Sequence, residues 1–177
     1  MKKYLFFGVL IVTYILVQFA CAGEGLVSLK VVRWIRPNLL WGEILGKEET
    51  QRVRVRLAGI VLPMGNDRIY EQALQRVREL TRDKEVQFDF ALGHGPEEKT
   101  WVGYIYISLP ETEEPLLLNA ELLREGLVTL NQEDVGRNLL GYFIEAQNEA
   151  QDKKVGVWTV VPRPKRRSDE CPSCEIR

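Results

Sequence analysis

Arg52, Arg54 and Arg56 alternate with Val53, Val55 and Leu57, a period of two that puts arginines on one face of a strand and aliphatics on the other. Before it, Leu26 to Ile35 is rich in Val, Leu and Ile and predicts a first strand. Trp41 to Leu45 predicts a second, after the Pro37-Asn38 turn signal. Gly46 to Thr50 is polar and suits a hairpin turn. Past Pro63-Met64-Gly65-Asn66 the period changes: Ala73, Leu74, Val77 and Leu80 recur at helical spacing, with Asp67 available as cap. Alternation returns from Glu85 to Ala91, and Trp101 to Ile107 reads as the next strand. Leu116 to Leu118 is a short apolar piece. Asn119 is placed to cap a short helix through Glu121, Leu122, Leu123 and Arg124, which Gly126 ends. Leu139, Leu140, Phe143, Ala146 and Ala150 mark a longer final helix, closed by Gly156 before Trp158.

The order βββ-α-ββ-α-α predicts an α+β fold over residues 26–160: a small five-stranded β-barrel of the OB type with three helices. At 177 residues, 45% hydrophobic and 28% charged, the chain suits one ordinary domain. No internal repeat is visible. From residue 161 onward, Pro162, Arg163, Pro164, Lys165, Arg166 and Arg167 read as a flexible basic C-terminal tail.

The first 22 residues differ from the rest. Lys2 and Lys3 precede an apolar run from Tyr4 to Val17, and Ala20-Cys21-Ala22 supplies small residues before Gly23, the order of an export signal. Three fates stay open: cleavage after Ala22, lipidation of Cys21, or retention as a membrane anchor, since the run approaches the ~18 to 20 residues a spanning helix needs. Each places the domain outside the cytoplasm, as a secreted, periplasmic or membrane-anchored protein. Removing residues 1–22 takes only Lys2 and Lys3 from 24 basic side chains against 25 acidic, leaving net −3. Bulk electrostatics therefore do not hold nucleic acid here, and any such binding must rest on a local patch.

Cys171 and Cys174 frame a Cys-x-x-Cys in the tail, and outside the cytoplasm the expectation is a local disulfide. A redox motif would open a helix after a strand, which this Pro-rich setting does not offer. Glu175 stands where haem attachment needs histidine, and zinc needs four ligands while His94 is far away in sequence. A minor reading has the pair exchanging disulfides with a partner.

Three segments, in this order and spacing, resemble the staphylococcal nuclease-like (thermonuclease) family. Arg56-Leu57-x-Gly59-Ile60-x-x-Pro63 is similar to the strand that delivers the family's first catalytic arginine. Leu118-Asn119-x-x-Leu122-Leu123-x-x-Gly126-Leu127 resembles its second-helix signature, and Glu145-Ala146 through Ala150 to Gly156-Val157-Trp158 its closing helix. The resemblance implies a calcium ion held by aspartates, two arginines on the phosphate and a glutamate that activates water. Such chemistry needs preorganised positive charge and a base within hydrogen-bond reach. Arg56 matches the first arginine. The metal-binding aspartate falls on Val61, its neighbour on Leu62, the glutamate on Met64 and the second arginine on Thr100. The aspartate of the first hairpin falls near Trp41 or Gly42. Without those carboxylates the site is expected to hold no metal, since hard cations take oxygen ligands.

Glu43, Asp67, Glu71 and Lys99 are the candidates to rescue catalysis from nearby positions. The arginine face of Arg52, Arg54 and Arg56 is either a solvated surface or a phosphate-tracking stripe, with Trp34, Trp41 or Trp101 as base-stacking faces. The expectation is a domain without catalysis and without a cofactor, binding nucleic acid or an envelope protein. The alternative is an active calcium-dependent phosphodiesterase acting on DNA or RNA through Arg56 and relocated acids.

Overall fold

The computed structural model describes residues 26–159, apart from 47, 48, 111 and 113. Cys21, Cys171 and Cys174, with the N-terminal segment and the basic tail, lie outside the described residues. β1 (Val27–Arg36), β2 (Leu39–Ile44) and β3 (Arg52–Leu57) form an antiparallel meander, followed by the two-residue β4 (Ile60–Val61) and helix α1 (Asp67–Thr81). β5 (Glu85–Phe90) and β6 (Thr100–Ile107) pair antiparallel, and β5 also pairs with β1. The barrel closes where β3 meets β6 in parallel, with Arg54 opposite Thr100 and Leu57 opposite Gly103. β7 (Leu116–Leu117) pairs antiparallel with the end of β6 and runs into α2 (Leu118–Arg124); β8 (Thr129–Leu130) pairs with β4, and α3 (Arg137–Lys153) packs on α2. This is the five-stranded barrel with three helices that the hydrophobic periods predict. The short β4–β8 ribbon adds to it, because two-residue strands leave no period to read.

Alternation places Val53, Val55 and Leu57 in the core and the three arginines outside, because successive strand side chains point to opposite faces. α1 buries Ile69, Ala73, Leu74 and Val77 on one stripe. Its cap is Asn66 rather than Asp67: the Asn66 Oδ1 accepts the Ile69 N–H at 3.2 Å, and Asp67 sits in the first turn, where the helix dipole favours an acid. α3 ends at Lys154 in the left-handed conformation, two residues before Gly156.

Asn119 also departs from the sequence expectation. α2 begins at Leu118, so Asn119 lies inside the helix, fully buried and aimed at the barrel. Its amide donates to Ala58 O at 2.9 Å and Gly103 O at 3.2 Å, while its Oδ1 accepts from Ile105 N at 3.2 Å. One side chain thus fastens α2 to β6 and to the end of β3, which explains why an asparagine stands between buried leucines in that segment.

Candidate functional site

The chain turns sharply after β3 at Gly59, whose φ of +73° is a left-handed conformation; a Cβ there would collide with Val135 and Phe143. Gly59 O accepts the Asn131 N–H at 2.9 Å, which draws the short 3-10 turn Gln132–Asp134 against the end of β3. Asp134 then meets Arg56: the guanidinium donates to the carboxylate at 2.7 Å and 3.5 Å, and Gly59 N–H approaches the same carboxylate at 3.4 Å. The pair is partly buried, with the side chains 36% and 20% exposed. Beyond it, Tyr104 Oη accepts the Gly136 N–H at 2.9 Å. Burial raises its phenol pKa, the Gly136 bond opposes this, and the nearby Asp134 charge adds to the rise.

Arg56, the arginine that the resemblance retains, is therefore held by an internal carboxylate. Sequence reasoning overlooked Asp134, which stands 78 residues from Arg56 in a segment without a periodic signal. Around this corner the position that the resemblance gives to a metal-binding aspartate is Val61, 45% exposed, and the one it gives to the glutamate that activates water is Met64, 99% exposed. Among the described residues no group of three or more His, Cys, Asp or Glu is placed to hold a metal ion. Oxygen-seeking calcium does not fit this set.

The strand register moves one expected position. Leu39 pairs with Arg56, whereas Trp41 pairs with Arg54 and Gly42 with Val53. Asn38 O accepts the Leu57 N–H at 2.9 Å, so the hairpin residues beside Arg56 are Asn38 and Leu39, not Trp41 or Gly42. Both are neutral. The candidate rescuers go elsewhere: Glu43 accepts from Arg52 Nε at 2.9 Å at the opposite end of β3, and Asp67, Glu71 and Lys99 are exposed or half-exposed on α1 and the β5–β6 loop. Thr100 takes the Nε–H of Arg54 at 3.0 Å.

Two of the three tryptophans considered for stacking belong to the interior. Trp34 is 4% exposed and its indole donates to Thr81 Oγ1 at 2.9 Å. Trp101 is 4% exposed, donates to Pro96 O and lies among Phe88 and Phe90. Trp101 faces inward on β6, and Trp34 is turned inward by the register shift in β1 that leaves both Val32 and Arg33 exposed. Trp41 faces outward, half-buried, between Arg33 of β1 and Arg54 of β3 in the strand register.

On this outer face of β1, β2 and β3 stand Lys30, Arg33, Arg36, Arg52, Arg54 and Arg56, with Glu43 opposite Lys30 and Arg52, and Asp134 reaching in to Arg56. A chain of formal net charge −1 thus gathers a cationic surface on three adjacent strands. No curated protein matches the chain. The family model described as staphylococcal nuclease homologue matches residues 54–160, beginning at Arg54 on β3. That span is more than half of the sequence and coincides with the barrel's closing strands and all three helices, and so the chain belongs to the staphylococcal nuclease homologue family.

Proposed function

We propose that this staphylococcal nuclease-like domain binds nucleic acid without hydrolysing it and does so outside the cytoplasm, where the N-terminal pattern of Lys2, Lys3, the apolar run and Ala20-Cys21-Ala22 would send it. The observation that carries the binding is the cationic outer face of β1 to β3. Lys30, Arg33, Arg36, Arg52 and Arg54 stand there with Glu43 as the acid of the same strands. Arg54 is bonded to a hydroxyl rather than a carboxylate, which leaves its charge to act on a ligand. This is the local patch that an otherwise acidic protein requires.

The absence of hydrolysis rests on the Arg56 corner. Phosphodiester cleavage needs positive charge aimed at the phosphate and a base on the attacking water. Arg56 is neutralised by Asp134, and Val61, Leu62 and Met64 offer neither metal ligand nor base. The test is a labelled single-stranded oligonucleotide with the full-length protein. If about four cations engage phosphates, raising salt fourfold weakens binding on the order of 50-fold, at a slope of roughly −0.7 per contact. A flat salt response overturns the nucleic-acid reading and leaves an envelope protein as partner. Calcium-stimulated cleavage that Arg56→Ala abolishes overturns the loss of catalysis.

A further inference from the structure

We infer that the cleft around Trp41 is a nucleobase site and that the ligand of this face is an unpaired strand rather than a duplex. The inference rests on the proposed binding of nucleic acid. Val32, Arg33, Trp41 and Arg52 line a cleft of about 540 Å³ on the outer face of β1 to β3, within the roughly 300–1,000 Å³ typical of small-ligand sites. Its floor exists because β1 is irregular here: the register with β2 shifts between Val31 and Arg33, so both Val32 and Arg33 are exposed beside Trp41. A bulge of this kind bends a strand and re-aims its side chains.

Trp41 stands in a cross-strand row, opposite Arg33 on one side and Arg54 on the other. A planar indole between two guanidinium side chains has the chemistry of a stacked base with its flanking phosphates. The indole offers a π-face to any base, and the arginines take the anionic backbone or stack on the base in turn. The two inward tryptophans have their indole N–H groups bonded within the fold, whereas Trp41 lines an open cleft. In a duplex each base is already stacked and paired, so only a single strand can deliver a base face into the cleft. Charge complementarity selects the occupant: Arg33 and Arg52 line the cleft, Arg54 stands opposite Trp41 on β3, and Glu43 opposes one of the three, Arg52.

The experiment compares a fluorescein-labelled oligothymidylate of about 12 nucleotides with a duplex of the same length, by anisotropy on the full-length protein at low salt. Vesicles of phosphatidylglycerol serve as an anionic-surface arm. The wild type should bind the single strand more tightly than the duplex. Trp41→Ala should lose on the order of 10- to 100-fold for the single strand and little for the duplex, matching a stacking contribution. Trp41→Phe should keep most of the affinity, which separates lost stacking from misfolding, with circular dichroism of both variants as control. Arg33→Ala and Arg54→Ala should weaken single strand and duplex alike. If Trp41→Phe and Trp41→Ala match the wild type on the single strand while the arginine variants lose binding, the base site is overturned and the cationic face stands. If the wild type binds neither nucleic acid, the proposed function falls and this inference with it. Vesicles that bind more tightly than the oligonucleotide and displace it also overturn the base site.

Discussion

Asn119 and Tyr104 show how single polar side chains hold the barrel's closing edge. Asn119 is wholly buried and satisfies Ala58 O and Ile105 N–H, groups that water does not reach. Asn119→Ala leaves them without these partners and should cost roughly 3 kcal/mol, at about 1–3 kcal/mol for each buried group abandoned, read from urea denaturation midpoints. Tyr104 has a phenol pKa raised mainly by burial, and Tyr106 shares that cause. The folded state therefore keeps the Tyr104 proton to higher pH than the unfolded chain does. Its contribution to stability is complete below the ordinary tyrosine value of about 10 and is lost as pH rises through the folded-state value. Stability should fall with pH across that alkaline window, and Tyr104→Phe should flatten part of the slope, leaving the share due to Tyr106. A slope unchanged by the substitution would contradict the assignment.

At the scale of elements, the Arg56–Asp134 pair joins β3 to the 3-10 turn that precedes α3. The carboxylate receives a two-pronged guanidinium contact and a backbone N–H in a partly solvated corner. Solvent screening keeps the coupling modest, and a double-mutant cycle of Arg56→Ala and Asp134→Ala should return about 1 kcal/mol. Near-zero coupling would mean that Arg56 is free to serve a ligand, and the reading of this corner would change. The strongly periodic elements were legible in the residues: β3 from its strict alternation, α1 from Ala73, Leu74 and Val77, and α3 from Phe143, Ala146 and Ala150. The cap of α1 was off by one residue, Asn66 instead of Asp67, since adjacent Asn and Asp have similar cap propensity and only backbone geometry chooses between them. Asn119 has the residue type of a cap, yet the helix begins one residue earlier and turns its amide into the barrel.

Over the whole molecule, the distribution of charge matters more than its sum. The sequence total is −1, yet pairing of β1 and β3 on either side of β2 brings the cations of those two strands onto one surface. Arg52, Arg54 and Arg56 were visible as a stripe from alternation alone. Arg33 and Arg36 joined them only through the register of β1 on β2, and the same register chose Trp41 over Trp34 and Trp101 as the outward indole. By itself the sequence determined the periodic elements, their order and the barrel class, and it puts Val61 and Met64 where the family resemblance implies carboxylates. Those properties are local, written in spacings of two, three and four residues. Tertiary structure decided that Asp134 closes on Arg56 across 78 residues of chain and that the β1 irregularity opens a cleft beside Trp41. Both depend on which strands and turns become neighbours when the barrel closes, and that adjacency has no period along the chain to announce it.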